Sequence, residues 1–242
     1  MLPRIAAAAA PASDTVLHFS YGANMASGVL AKRGVKPLAS RPAALTDPAT
    51  MLSFCHRGGF ATLILQPLQQ HQVDGADPRL QRGNVHGVLY SLTKADMAAL
   101  QRAETGYVLH PVSVQPYWQV TAVQRTDASM IGRDEPLSKV ATRDDPASIL
   151  PDNPTISATA FVSRPMLRLR SPVAPTDRYL ELVQTGAREH GLCPEYVAWL
   201  ASVPSVSRSG LPPEYFDTGP NVVAQGFLVL VGLAFIAFAW RH

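Results

Sequence analysis

The chain has little that would point to disulfide, metal or nucleotide chemistry. It contains two cysteines in 242 residues, Cys55 and Cys193, which stand far apart and in no CxxC pattern. We therefore expect reduced thiols in an intracellular setting. The seven histidines show no metal-ligand spacing, so no metal site is predicted. The sequence also lacks a GxSxG elbow, a Walker loop and a GxGxxG stretch, which are the usual signatures of serine hydrolases and nucleotide-binding folds.

Charge is sparse as well. Charged residues make up 16% of the chain, the formal net charge is +3, and the positive residues are scattered. No basic cluster is interleaved with aromatic residues, so no nucleic-acid partner is predicted. Apolar residues make up 47% of the chain. This composition and length fit one sizeable globular domain with an additional apolar segment.

Both ends of the chain differ from its middle. Residues 1–14 are rich in alanine and poor in acids, which predicts a disordered or organelle-targeting tail. Residues 202–221 are rich in Ser, Pro and Gly and read as a linker. The segment from Val222 to Trp240 carries no charge and is long enough to cross a membrane as a helix. We expect a single-pass C-terminal membrane anchor, with the remaining domain in the cytosol or a plastid stroma; a buried core helix is the alternative.

The first candidate site is a strand that ends at a glycine and turns into a helix. Residues 15–21 alternate polar and apolar side chains, Gly22 breaks the run, and helix formers follow from Met25 to Gly34. A helix start after such a turn leaves backbone N–H groups that can bind a carboxylate or a phosphate. An ordinary tight turn explains the same pattern equally well.

The second candidate is a carboxylate on the apolar face of a predicted helix. Met97, Leu100 and Glu104 follow the spacing of one helix face. Burying a carboxylate without a partner is costly, which favours a functional role for Glu104. Alternatively, Glu104 turns into solvent at the helix end or pairs with Arg102 or His110.

The remaining pattern predicts an α+β fold. Thr93 is expected to cap the helix that carries Glu104, and a left-handed Gly106 is expected to end it. Further predicted helices begin at Asp177, capped by Thr176 and stopped by Gly191, and at Pro194. Strands are predicted at residues 51–55, 61–65, 85–92 and 158–163, with two more strand-like runs within 108–126 and a long connection at 130–154.

A five-residue block, Tyr21-Gly22-Ala23-Asn24-Met25, spans the end of the first strand and the turn after it. It resembles the Tyr-Gly-Ser-Asn-Leu/Met signature of the γ-glutamylcyclotransferase family, which includes the AIG2-like proteins, with Ala23 in the place of the usual Ser. The similarity continues through Arg33-Gly34 and the blocks at 54–62, 83–90, 104–107 and 178–200. It covers the chain from about Leu17 to Leu200, and the order and spacing of the blocks make it specific.

The resemblance implies a small mixed β-barrel with flanking helices over residues 15–201. The transmembrane helix at 222–240 is predicted in addition, from its composition. It implies that a small γ-glutamyl compound is cyclised to 5-oxoproline with release of an amine, without a cofactor. It assigns catalysis to Glu104. The implied substrate-binding residues are Tyr21, Gly22, Ala23, Asn24, Met25 and Tyr107. A non-catalytic small-molecule binder or membrane-held adaptor of the same fold is the alternative function.

Overall fold

The computed structural model describes residues 14–65, 77–117 and 154–207, together with Tyr215. Its centre is a closed five-stranded barrel in the order β1-β6-β2-β7-β8. Neighbouring strands are antiparallel except β1 and β8, which close the barrel in parallel through His18↔Thr159 and Phe19↔Ala160. The barrel strands are β1 (Thr15–Ser20), β2 (Ala39–Leu45), β6 (His86–Thr93), β7 (Tyr107–Pro116) and β8 (Ile156–Ser163).

A second, three-stranded sheet packs beside the barrel. Its order is β4-β3-β5, formed by β3 (Met51–His56), β4 (Phe60–Ile64) and β5 (Gln81–Arg82). The Ser163 N–H of β8 donates to Thr62 Oγ1 of β4 at 2.9 Å. This bond joins the two sheets where the candidate site lies.

Within the described ranges four α-helices flank the sheets: α1 (Ser27–Lys32), α2 (Lys94–Ala103), α3 (Asp177–Glu189) and α4 (Pro194–Ser202). Short 3-10 helices occupy Ala23–Met25, Pro78–Leu80 and Pro165–Leu167. Residues 21–26, which connect β1 to α1 through the first of these, are called the turn loop below. Helix α2 begins where Thr93 Oγ1 accepts from the Asp96 N–H at 3.0 Å, as its sequence predicts.

Two large hydrophobic clusters form most of the interior of the described chain, and a third, small one joins Cys55, Ile64 and Leu169. One large cluster combines β-strand residues such as Phe19, Leu52 and Phe54. The other large cluster joins the barrel to the helices through residues such as Met25 and Leu100. Met97 and Leu100 are buried, so the apolar face of α2 packs inward and carries the chain to Glu104 at the helix end.

Most predicted elements are confirmed with boundary shifts of one or two residues, and Gly34 and Gly191 end their helices with positive φ angles of 70° and 59°. Two predicted details are wrong. Helix α2 ends at Ala103, and Gly106 does not have a positive φ angle. Thr176 precedes α3 without a side-chain cap bond.

Several predictions concern residues outside the described ranges. These are the tail up to residue 13, part of the 108–126 run, the connection at 130–153, most of the linker and the segment at 222–240. No helix within the described residues is long and apolar enough to span a membrane.

Candidate active site

The candidate site is a cavity of about 390 Å³ at one end of the barrel. It lies where the end of β1, the turn loop, the end of α2, the start of β7 and helix α3 converge. Because these segments are far apart in sequence, only the closed barrel brings them together. The polar residues on its wall include His18, Tyr21, Asn24, Arg33, His56, Glu104, Tyr107 and Tyr179.

Glu104 is held in the wall of the cavity by two donors. Its Oε1 accepts from Asn24 Nδ2 at 2.9 Å and from Arg33 Nη1. The side chain is 14% exposed. Among the described residues, no donor bonds to Oε2. The carboxylate is therefore fixed through one oxygen, and the other remains available to a ligand in the cavity.

Asn24 has an unused acceptor on the turn loop. Its Nδ2 is used by Glu104, and its Oδ1 is buried with no hydrogen-bond partner among the described residues. Asn24 is 9% exposed and lines the cavity. A buried amide oxygen that lacks a donor is costly, so this atom suits the N–H group of a ligand.

The backbone of the turn loop is partly occupied. The Met25 N–H donates to the Gly22 carbonyl at 3.0 Å, and the Ala26 N–H donates to the Ala23 carbonyl at 3.1 Å. These bonds close the 3-10 turn and remove two of the N–H groups that the sequence pattern offered to an anion.

Three tyrosines line the cavity, and their hydroxyl groups are bonded differently. The Tyr21 hydroxyl donates to the Phe161 carbonyl, and that of Tyr107 donates to the Ala61 carbonyl at 3.0 Å. The Tyr179 hydroxyl instead accepts from the Ala61 N–H at 3.1 Å. No described residue accepts its proton.

The Tyr179 hydroxyl lies against the turn loop. A Cβ atom built on Gly22 would lie 3.0 Å from this oxygen, so the loop and the hydroxyl are in close contact. Burial raises the pKa of Tyr179 well above its ordinary value, and the Ala61 and Ala23 N–H groups oppose that rise. The phenol is protonated near pH 7 and can donate a hydrogen bond into the cavity.

Two histidines in the wall are neutral near pH 7. Burial lowers the pKa of both His18 and His56 to about 4. The His56 ring stacks on Tyr107 with 4.4 Å between ring centroids, and its Nδ1 lies 2.7 Å from Ser163 Oγ. Within the described part of the chain, no three His, Cys, Asp or Glu side chains form a group that could hold a metal ion.

Most of the predicted site residues meet at this cavity. Tyr21, Gly22, Ala23, Asn24, Glu104 and Tyr107 line it. Met25 does not, because its side chain is fully buried in the helix-side cluster. Arg33 and Tyr179 also line the cavity, although the sequence did not mark either as a site residue. Both lie in blocks that resemble the family, Arg33-Gly34 and 178–200, and this is the signal that could have identified them.

A larger, more open cavity of about 650 Å³ lies elsewhere and includes Asp47, His110 and Arg168. Asp47, the one carboxylate among the described residues of its lining, is already engaged, since it accepts from the Ala49 N–H at 3.0 Å and from Thr50 Oγ1 at 2.6 Å. These bonds are those of a capped turn, so volume alone does not make this cavity the better candidate.

No protein-family model matches the chain, and no curated protein matches it either. Solved structures do match. One described as a gamma-glutamyl cyclotransferase shares 17% identity with a TM-score of 0.50, over 82% of this chain and 93% of that one. An uncharacterised human protein shares 17% identity with a TM-score of 0.51, over 82% and 94% of the two chains.

A third structure, YkqA from Bacillus subtilis, shares 16% identity with a TM-score of 0.50, over 80% of this chain and 57% of that one. At such identities the similarity establishes the fold. The chain therefore has the gamma-glutamyl cyclotransferase fold, as its sequence blocks predicted.

Proposed function

We propose that this protein is a γ-glutamylcyclotransferase that converts a γ-glutamyl amide into 5-oxoproline and a free amine. The observation that supports this most is the position of Glu104. Its carboxylate lies in the cavity wall, is held by Asn24 of the turn loop, and keeps one oxygen without a described donor. The fold shared with a gamma-glutamyl cyclotransferase supports the same reaction class.

The reaction needs orientation and proton transfer within one substrate molecule. The α-amine attacks its own γ-carbonyl carbon, a C–N bond forms in a five-membered lactam, and the original γ-amide C–N bond breaks. The ammonium nitrogen gives up two protons, one before it attacks and one as it becomes the lactam N–H. One of these protons reaches the departing nitrogen, and the second is released to water or protonates the free amine. Holding the two ends in the ring-closing geometry can contribute about 7 to 11 kcal/mol. Glu104 Oε2 is the proposed acceptor and later donor of the proton.

Two further groups have proposed roles. Asn24 Oδ1, buried and without a described partner, would accept from the substrate ammonium and orient it toward Glu104. The Tyr179 hydroxyl, whose proton no described residue accepts, would donate to the γ-carbonyl oxygen as negative charge develops there. Removing one such donor typically costs about 10²- to 10³-fold in turnover.

The experiment is a product assay on the full chain. Glutathione and a panel of γ-glutamyl amino acids are each incubated with the protein, and 5-oxoproline is measured. We expect turnover of at least one compound and its loss in Glu104→Gln. Glu181→Gln, an exposed glutamate on α3, removes the same charge outside the cavity and should retain activity.

Full activity in Glu104→Gln, or no 5-oxoproline from any compound, would exclude the proposal. Binding of these compounds without turnover would instead favour the non-catalytic alternative.

We also propose that residues 222–240 anchor the protein in a membrane. The support is the uncharged apolar composition of this segment, which lies outside the described residues. Extraction of the full chain and of a form ending at residue 221 from membranes at alkaline pH tests the anchor. Release of both forms to the same extent would contradict it.

A further inference from the structure

Arg33 is the one permanently charged cation among the described residues that line the cavity. It ends helix α1, where its N–H donates to the Leu30 carbonyl at 3.0 Å, and the left-handed Gly34 follows. The other basic groups in the wall, His18 and His56, are neutral near pH 7 because burial lowers their pKa to about 4. An anion that enters this cavity therefore meets one positive side chain.

The guanidinium group is only partly used. Arg33 Nη1 contacts Glu104 Oε1, and no other described acceptor bonds to the side chain. The side chain is 27% exposed. A guanidinium has five N–H donors in a planar fork and can bind a carboxylate through two of them. Arg33 thus has the capacity to bind a second carboxylate.

The cavity has complementary groups for a zwitterionic head. Asn24 Oδ1 and Glu104 Oε2 are acceptors without described donors, suited to an ammonium group. Arg33, which touches the same Glu104, is the matching donor for a carboxylate. An α-amino acid head carries both charges on one carbon atom, so it can engage both sets of groups at once.

We infer that Arg33 binds the α-carboxylate of the substrate's glutamyl head, exchanging its contact with Glu104 for one with the substrate. This assignment rests on the proposed function. In the structure Arg33 and Glu104 neutralise each other. When the substrate binds, its carboxylate pairs with the Arg33 guanidinium and its ammonium group pairs with the Glu104 carboxylate. Arg33 is thus a specificity residue that also frees the proposed proton acceptor.

The test measures binding, so that it does not depend on turnover. 5-Oxoproline and its carboxamide differ only in the carboxylate, and calorimetry gives the affinity of the full chain for each. We expect the wild type to bind 5-oxoproline at least about tenfold more tightly, the ratio of one charge-assisted hydrogen bond. In Arg33→Gln the two ligands should bind equally. Arg102→Gln, an exposed arginine two residues from Glu104, should keep the wild-type preference.

A second variant should change the affinity for 5-oxoproline in the opposite direction. Glu104→Gln removes the anion that competes for Arg33, so it should bind 5-oxoproline more tightly than the wild type while losing turnover. Loss of the Glu104 charge favours any anionic ligand, so Arg33→Lys is the discriminating variant: it keeps the positive charge but not the planar fork, and it should bind 5-oxoproline less tightly than the wild type. An unchanged preference in Arg33→Lys would overturn binding through the fork, and this variant also decides the question if Arg33→Gln does not fold.

The outcomes separate this inference from the proposed function. A wild type that prefers 5-oxoproline but releases none from any γ-glutamyl compound would exclude the enzyme and keep the assignment of Arg33. A wild type with turnover whose carboxylate preference survives in Arg33→Gln would overturn the assignment alone. Equal binding, or no binding, of the two ligands by the wild type would also overturn it.

Discussion

The two faces of the turn loop use hydrogen bonds differently. On one face the Met25 carbonyl accepts from the Tyr90 hydroxyl at 3.0 Å, and His190 Nε2 lies 3.0 Å from the same hydroxyl. The Tyr90 hydroxyl therefore has a hydrogen-bond partner for its proton and another for its oxygen. On the cavity face, Asn24 bonds to Glu104 but leaves its Oδ1 without a described partner.

The difference distinguishes anchoring from recognition. A polar network that stabilises a fold satisfies its buried donors and acceptors, because each unsatisfied group costs free energy. A binding site keeps some of them open for its ligand. The anchored face fixes the loop, and the cavity face has the remaining hydrogen-bonding capacity.

The largest expected effect compares a glutamate on each face. Glu104→Gln should lower turnover by about 10²- to 10⁴-fold, the usual contribution of a general acid–base group. Glu189 Oε2 accepts from the Ser27 N–H at 2.8 Å on the anchored face, and Glu189→Gln should leave turnover unchanged. Steady-state kinetics of 5-oxoproline release measure both. Equal losses in the two variants would mean that the faces do not differ in function.

A substitution at Gly186 should affect both faces together. A Cβ atom on this α3 residue would lie 2.5 Å from the Ala26 nitrogen and from Met25 atoms, so the turn loop has to shift. Gly186→Ala should destabilise the protein by about 1 to 3 kcal/mol, as overpacking does. Turnover per folded molecule should also fall. Urea unfolding and kinetics measured on one preparation test this, and normal turnover would show that the cavity tolerates loop movement.

Removing the Tyr90 hydroxyl should affect stability without affecting chemistry. Tyr90→Phe leaves the Met25 carbonyl without this donor, at a cost of about 1 to 3 kcal/mol in the free energy of unfolding. The cavity groups stay in place, so kcat/KM per folded molecule should be unchanged. Chemical denaturation and kinetics provide the two readouts. A large fall in kcat/KM would show that the anchor also sets the active geometry.

The pH dependence of stability should come more from His18 in the cavity wall than from the histidine on the anchored face. Burial lowers the pKa of His18 from 6.5 to about 4, so between these pH values the unfolded chain binds a proton at His18 and the folded chain does not. The free energy of unfolding is therefore unaffected by His18 above pH 6.5 and falls as the pH is lowered from 6.5 toward 4. His18→Gln should reduce the slope of stability against pH by about 1.4 kcal/mol per pH unit near pH 5.

His190 on the anchored face provides the comparison. Burial lowers its pKa as well, but less, so His190→Gln should change that slope less than His18→Gln does. Urea unfolding of the three proteins between pH 4.5 and 7 gives the slopes. An unchanged slope in His18→Gln would contradict this account of the buried ring.

Local patterns predicted most elements because each rests on neighbouring residues. The strand before Gly22, the Thr93 cap and the helix-ending Gly34 and Gly191 follow from alternation, capping and backbone freedom. Glu104 was marked by its spacing from Met97 and Leu100. Gly106 was misread because its constraint is tertiary: a Cβ there would lie 2.9 Å from His56 Cε1.

The sequence by itself determined most of the strands and the four described helices, the acidic residue at the end of α2 and the turn beside β1, but it did not mark β2 or the two-residue β5 as strands. Only the tertiary structure decided that Arg33 pairs with Glu104 and that the Tyr179 hydroxyl reaches the turn loop. It also placed Met25 in the core rather than in the cavity. The reason is that barrel closure joins segments distant along the chain, and no local period encodes which of their side chains meet.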